Sequence, residues 1–306
     1  MGSHHHEVKR PTGSRPLKIA LGIVLVIMTL EVIGGVLSNS LALLSDAGHM
    51  LVDALALGLA LFALTIAGRP ATQSRTFGYH RAEILAALAN GAALILISAY
   101  IFYKAYQRLS IPPEINTTLM ITVAFVGLVA NLSGILLLRG TRHHSLNIKA
   151  AFWHVIGDTI SSAGVIVAGI IIAVTGWYVV DSVIAVLIGC IILWGAVRIV
   201  SESVDVLLEA VPKHIQVDKV VETMKRVPGV EGVDDIHIWT ITSGLHALSA
   251  HLIIEDRRVS QSGEIMAAVN YELSHHFNIT HTTLQLECEA CPDGLICDIS
   301  RTKDQT

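Results

Sequence analysis

The sequence predicts an α-helical membrane protein of six transmembrane helices followed by a small soluble α+β domain. Three observations support this. Charge is unevenly spread: residues 16–210 hold 20 of the 46 Asp, Glu, Lys and Arg side chains, and residues 211–306 hold 22. These are about 10% and about 23% of their segments, the second being close to the usual share in a soluble domain. Six apolar stretches each reach the roughly 20 residues that a helix needs to cross a bilayer core of about 30 Å. After Pro212 the continuous apolar runs give way to short alternating and amphipathic segments.

The totals exclude other classes. With 52% hydrophobic residues and only 15% charged among 306, the chain is too apolar to be disordered. Four cysteines do not make a disulfide scaffold, and a net charge of −4 argues against a nucleic-acid partner. Residues 1–15 form a polar N-terminal arm whose Met-Gly-Ser-His-His-His start reads as a native His-rich arm or a tag remnant.

The transmembrane domain is expected over 16–210, with spans at about 17–37, 41–67, 83–107, 115–138, 147–174 and 179–208. Ser38-Asn39-Ser40, Gly68 to Tyr79, Pro112-Pro113, Gly140 to Ser145 and Thr175-Gly176-Trp177 separate them. The first stretch exceeds a signal-peptide apolar region and lacks a small-residue cleavage site, so it reads as a true span. Arg69, Arg75, Arg81, Arg139, Arg142 and Lys149 fall in loops on one side, against Lys104 and Arg108 on the other. The positive-inside bias therefore puts both termini in the cytoplasm.

The soluble domain is expected over 211–290. Val217 to Arg226 has helical periodicity, and Val233 to Ile241 and Ala247 to Ile254 alternate as strands around a Ser243-Gly244 turn. Glu264 to Phe277 reads as an amphipathic helix and Thr282 to Leu286 as a last strand, which makes an open-faced α-β-β-α-β sandwich. Residues 291–306 form a Cys-containing tail. Cys288, Cys291 and Cys297 lie on the reducing side of the membrane, as thiols or metal ligands.

The ionisable residues inside apolar runs carry the functional signal. Asp46, His49 and Asp53 are spaced by three and four residues, hence on one face of span two. His154 and Asp158 in span five repeat the spacing of His49 and Asp53. A charge at mid-bilayer costs about 2.5–3.5 kcal/mol on insertion scales, so several in one chain imply a shared partner. Two facing pairs supply two imidazole nitrogens and two carboxylates, a tetrahedral donor set that suits Zn²⁺ better than Ca²⁺ or Mg²⁺. All four must lose protons to bind metal tightly, so metal and H⁺ compete for them. Asp46 lies a turn nearer the outer end and reads as a gating or supporting group.

These residues, with Ser45-Asp46-Ala47-Gly48-His49, Phe77-Gly78-Tyr79-His80-Arg81-Ala82-Glu83-Ile84, Trp177 to Asp181, Leu207-Leu208-Glu209 and the Leu-Gln-Leu-Glu ending at Glu287, resemble the cation diffusion facilitators, especially their zinc-transporting branch. The resemblance covers about residues 16–290. It implies a homodimeric exporter with a cytoplasmic ferredoxin-like domain, alternating access and inward proton flow. It maps the transport site onto His49, Asp53, His154 and Asp158. Members with Asp at the His49 position look broader in metal choice, so His49 argues for Zn²⁺ over Cd²⁺ or Mn²⁺.

Other ligands are weaker expectations. Asp234, His237, His251 and Glu287, followed by Cys288-x-x-Cys291, make a plausible cytoplasmic Zn²⁺ site that would hold a structural ion. By resemblance His251 and Glu287 match ligand positions, while Asp234 stands where relatives often have His, which argues against a two-metal cluster. His237 and Trp239 are expected to pack at the domain core or dimer seam, and His246, His275 and His276 to be solvated. Thr72, Arg75 and Tyr79 occupy positions where relatives hold an interface metal. His80, with His281, is the candidate replacement, against the plainer reading of a surface histidine. Arg81 and Glu209 match an interlock between subunits in relatives. Glu31, Asn90, Asn131 and Asp181 read as helix-packing groups or the lining of a wet cavity.

The function expected is secondary zinc efflux coupled to protons, in a bacterial plasma membrane. No Walker A motif points to ATP use. The rivals are an intramembrane zinc hydrolase, which lacks His-Glu-x-x-His and a spare general base, and a membrane-anchored metal sensor.

Overall fold

A computed structural model of the chain describes residues 14–66, 72–139, 146–242 and 244–289. The backbone separates into two compact units, one of residues 1–68 and 86–200, the other of residues 69–85 and 201–306.

The first unit is built from long helices: α1 (Ser14–Ser38), α2 (Leu41–Ile66), α3 (Arg81–Ser110), α4 (Thr117–Arg139), α5 (Leu146–Thr175) and α6 (Val179–Leu207). α1 and α6 begin or end within about three residues of the apolar runs, because Pro, Gly and Asn in the breaks stop them. α1 packs on α2 and α4, and α5 on α4 and α2. Its core mixes Leu43, Leu94, Met120 and Ile172 with small residues such as Ala42, Ala105, Ala124 and Ala168, which let helix backbones approach. Val26, Leu96, Ile160 and Trp194 point outward, each more than half exposed. Helices apolar on both faces suit a lipid surround. Four described stretches are long and apolar enough to cross a membrane: Leu21–Ser38, Arg81–Ser110, Ile156–Thr175 and Val179–Leu207. The apolar stretches described in α2 and α4 are shorter, Leu41–Val52 and Thr117–Ser133.

The start of α2 is fixed by a residue from another helix. Asp181, 1% exposed at the head of α6, accepts hydrogen bonds from Ser40 Oγ (2.6 Å), Leu41 N (2.6 Å) and Ala42 N (3.1 Å). Ser40 Oγ accepts from Leu43 N at 3.1 Å. The first free N–H groups of α2, which a helix cannot satisfy itself, thus find acceptors. Arg108 Nη1 lies 3.6 Å from Asp181 and donates to Asn39 O at 2.7 Å. Asn39 turns the chain between α1 and α2 with φ of 60°, a conformation that Asn tolerates.

In the second unit, α7 (Val217–Lys225), β1 (Gly232–Thr242), β2 (Leu245–Ile253), α8 (Val259–Phe277) and β3 (Ile279–Glu287) follow the expected order. The sheet order is β1-β2-β3, with β1 and β2 antiparallel and β2 and β3 parallel. Gly244, at φ of 76°, supplies the turn of the β1–β2 hairpin. Val220 and Met224 of α7 and Val269 and Leu273 of α8 cover Ile238, Leu248 and Leu252 on one face of the sheet. The other face presents His237, Ser249 and His251. α8 starts five residues earlier than expected. Its Val-Ser-Gln-Ser-Gly opening looks like a loop, but Ser262 is buried and its hydroxyl bonds back to Val259 O at 2.8 Å.

One histidine departs from expectation. His246 is buried, not solvated; its Nδ1 lies 3.2 Å from Thr240 Oγ1 and its ring 5.1 Å from that of His214. The hairpin turn folds it back over β1. Of the two places expected for His237, the core and the dimer seam, the core is taken by Ile236 and Ile238, and His237 lies half-buried on the other face of the strand. His275 and His276 are exposed as expected.

Candidate metal centres

In the membrane unit, α2 carries Asp46, His49 and Asp53, and α5 carries His154 and Asp158. The packing of α2 on α5 brings His49 Nδ1 to 3.7 Å from Asp158 Oδ1. Both side chains are about four-fifths buried or more. The backbones of Asp53 and His154 are helical, a turn along from these two; their side chains lie outside what is described. Asp46 faces the same neighbour helix: Ser161 Oγ donates to its Oδ1 at 2.5 Å and Ser162 Oγ approaches Oδ2 at 3.3 Å. Asp46 is therefore held by hydroxyls of α5.

In the second unit, His251 lies on the open face of β2. Its Nδ1 is 3.2 Å from Glu287 Oε1 of β3, without forming a properly aligned hydrogen bond, and its Nε2 is 3.7 Å from Asp235 Oδ2. Asp235 Oδ1 in turn lies 3.1 Å from His237 Nε2. Asp235 was not among the sequence candidates. It sits where the β1–β2 register slips between Asp234 and His237, at φ of 46°. Such a bulge re-aims one side chain out of the alternation, and strand period alone does not reveal it. Asp234 remains the register partner of His251. Cys288 is exposed, just beyond β3, and Cys291 lies outside the described residues.

His237, Asp235, His251 and Glu287 are thus linked in a row of pairs. Among the described residues, no three His, Cys, Asp or Glu converge on a single point as they stand. The donor types nonetheless fit Zn²⁺, and the buried Nδ1 of His251 lacks an aligned partner that a metal would supply.

His80 and His281 line one open cavity of about 310 Å³, with Thr76, Phe77 and Ile241. The Phe77 ring meets His281 edge-on at 5.4 Å. Thr72 and Arg75 pair through their backbones, and the Arg75 guanidinium lies 4.4 Å over the Tyr79 ring. Arg81 and Glu209 form an ion pair of 2.7 Å within the chain, and both side chains are exposed.

Family comparison agrees with this layout. Residues 17–208 match the cation efflux transmembrane domain, and residues 212–289 match the cytoplasmic domain of cation efflux proteins. A cadmium, cobalt and zinc/H(+)-K(+) antiporter of Bacillus subtilis is 43% identical over 293 residues, covering 95% of this chain and 93% of the relative. The metal cation efflux system protein CzcD of Cupriavidus metallidurans is also 43% identical, over 95% of this chain and 92% of its own. The zinc transporter ZitB of Escherichia coli is 35% identical over 94% and 93%. A solved metal-bound C-terminal domain of CzcD aligns with 24% of this chain and 99% of its own, at 33% identity and a TM-score of 0.22. Both domain matches are to cation efflux proteins that span a membrane, so this is an integral membrane transporter and not an enzyme. Matched along nearly its whole length, in one order and by one architecture, the chain belongs to the cation efflux family, the cation diffusion facilitators.

Proposed function

We propose that this chain exports Zn²⁺ from the cytoplasm in exchange for protons, by alternating access through a tetrahedral site of His49, Asp53, His154 and Asp158. The observation that carries this is the approach of His49 to Asp158 across α2 and α5. One imidazole and one carboxylate from different helices already face each other at a buried point. Their helical partners stand four residues away on the same two helices, so the same face of each supplies the second donor. Zn²⁺ suits two nitrogens and two oxygens, and protons compete for all four. Named relatives include antiporters of zinc and H⁺. That relative's name also includes cadmium and cobalt, so the three metals belong in one assay.

The wider reading follows. α2 and α4 have 26 and 23 residues, about 39 and about 35 Å of helix, which supports six spans in place of four. The transmembrane domain is then 16–210 and the soluble domain 211–290, with both termini in the cytoplasm of a bacterial cell and the chain working as a homodimer. The family model for the C-terminal part is that of a dimer domain in the cation efflux proteins, which supports the last point. His251 and Glu287 form a cytoplasmic Zn²⁺ site with Asp235 beside the His251 ring, and the His80–His281 cavity is a place for a further ion.

Proteoliposomes carrying a zinc-sensitive dye test the transport reading. An imposed pH gradient should drive Zn²⁺ flux in the native chain, and Asp158→Ala should abolish it. Flux that survives Asp158→Ala, or that ignores the gradient, sinks the mechanism.

A further inference from the structure

Glu31 lies in the middle of α1, in a run that is otherwise apolar from Leu30 to Leu37. It is 1% exposed, and its Oε2 has no hydrogen-bond donor among the described residues. Its carboxylate is seated against α4 at Gly127. A Cβ at Gly127 would stand 2.7 Å from Glu31 Oε1 and 3.7 Å from Ser162 Oγ of α5. Any side chain there would displace the carboxylate, so the space is cut for it.

The polar groups around it are mainly carboxylates and serine hydroxyls. Asp46 of α2, 4% exposed, is within electrostatic range of Glu31 and is held by Ser161 and Ser162 of α5. Asp158 of α5 is also within that range. His49 of α2 stands one turn from Asp46, and α4 brings no ionisable residue before Arg139. Two buried carboxylates with serine hydroxyls offer neither imidazole nor thiolate, so they make a poor zinc cage. Each charge in a hydrocarbon surround nonetheless requires a counter-charge. The smallest counter-charge that an all-oxygen pair binds is a proton.

We propose that Glu31, with Asp46, is a dedicated proton subsite of the exchange, separate from the metal ligands. The proposal rests on metal–proton exchange as argued above, and adds where one of the protons travels. The proton comes from the outer solution, forms an O–H bond on the carboxylate pair, and leaves to the cytoplasm; no electron changes place. The coupling is electrostatic: a divalent ion at His49 and Asp158 disfavours a proton nearby, and its departure favours one. Each therefore weakens the other's binding by the same factor.

The test uses the full chain in proteoliposomes, with H⁺ and Zn²⁺ movements recorded together by two dyes. Glu31→Gln keeps the shape and removes the proton site. It should lower the H⁺ moved per Zn²⁺ and slow gradient-driven flux by about tenfold, as coupled sites do. Gln stands permanently for the protonated carboxyl. Zn²⁺ affinity of detergent-solubilised Glu31→Gln should therefore fall at high pH by the coupling factor and converge on the native value at low pH, unlike Asp158→Ala, which should lose affinity at every pH. Gly127→Ala, which leaves Glu31 ionisable but displaced, should shift the ratio in the same direction, and Glu31→Asp should restore part of it. A native H⁺/Zn²⁺ ratio in Glu31→Gln overturns the proposal. So does a change in that variant confined to buffers containing K⁺, which would assign the subsite to K⁺. If the native chain moves zinc without protons, the exchange reading itself fails and this subsite falls with it.

Discussion

Asp235 and His251 illustrate how a single residue makes a site more than a list of donors. His251 has a carboxylate on either side, Glu287 from β3 and Asp235 from the β1 bulge. A carboxylate beside a ligating imidazole orients the ring and raises its basicity, and its loss typically costs 10–100-fold in metal affinity. Asp235→Asn should therefore weaken zinc binding by roughly 10-fold or more. The measurement is a competition titration on the full chain with the transport site silenced by Asp158→Ala. Unchanged affinity would make Asp235 a bulge residue only. His237 gains its relevance the same way, through Asp235, and not through the packing that its neighbours Ile236 and Ile238 suggest. By contrast Arg81 and Glu209, although 2.7 Å apart, are both exposed. Solvent screening limits such a pair to about 0–1 kcal/mol, so Arg81→Ala should barely change the thermal unfolding of the detergent-solubilised chain.

Among the elements, α2 is the one whose placement matters most. It carries Asp46, His49 and Asp53, and its first turn is held by Asp181 from α6. A helix N-terminus is partially positive, so a buried carboxylate there answers both the free N–H groups and the dipole. Asp181→Ala should cost about 1–3 kcal/mol, as lost buried hydrogen bonds do. Ser40→Ala should cost about 1 kcal/mol, the usual loss of a cap. Thermal unfolding in detergent reads both, and a larger loss for Ser40→Ala than for Asp181→Ala would contradict the assignment. The same role could not be read from the sequence, where Asp181 reads as a helix-packing group or the lining of a wet cavity. Only the proximity of Ser40 to Asp181 shows that the carboxylate serves a helix 140 residues earlier.

For the whole molecule, pH acts in more than one place. In the second unit, burial, and then the neighbouring His214, lower the His246 pKa below its ordinary 6.5. The unfolded chain then binds a proton more readily than the folded one between the two values. Stability from this residue is present above about pH 6.5 and is lost as pH falls towards the lowered folded value. Protection of the β1–β2 hairpin amides in the full chain, taken relative to the intrinsic exchange rate at each pH, should fall between about pH 7.5 and about pH 5.5, and His246→Phe should flatten that change. An unchanged pH response in His246→Phe would assign it to other groups. This effect is distinct from the competition of protons with metal that we propose for the membrane helices.

Composition, apolar length and local periodicity by themselves determined the helical membrane body, the α-β-β-α-β order of the soluble part and the suspect pairs His49/Asp53 and His154/Asp158. These properties repeat along the chain within a few residues, and a helix or strand registers them locally. Tertiary structure decided the rest. It brought His49 to Asp158, put Asp181 at the foot of α2, aimed Asp235 at His251, buried His246 and seated Glu31 against Gly127. Each of these joins residues on different elements or turns one by a bulge. Sequence spacing sets which face of an element a side chain occupies, but packing sets what that face meets.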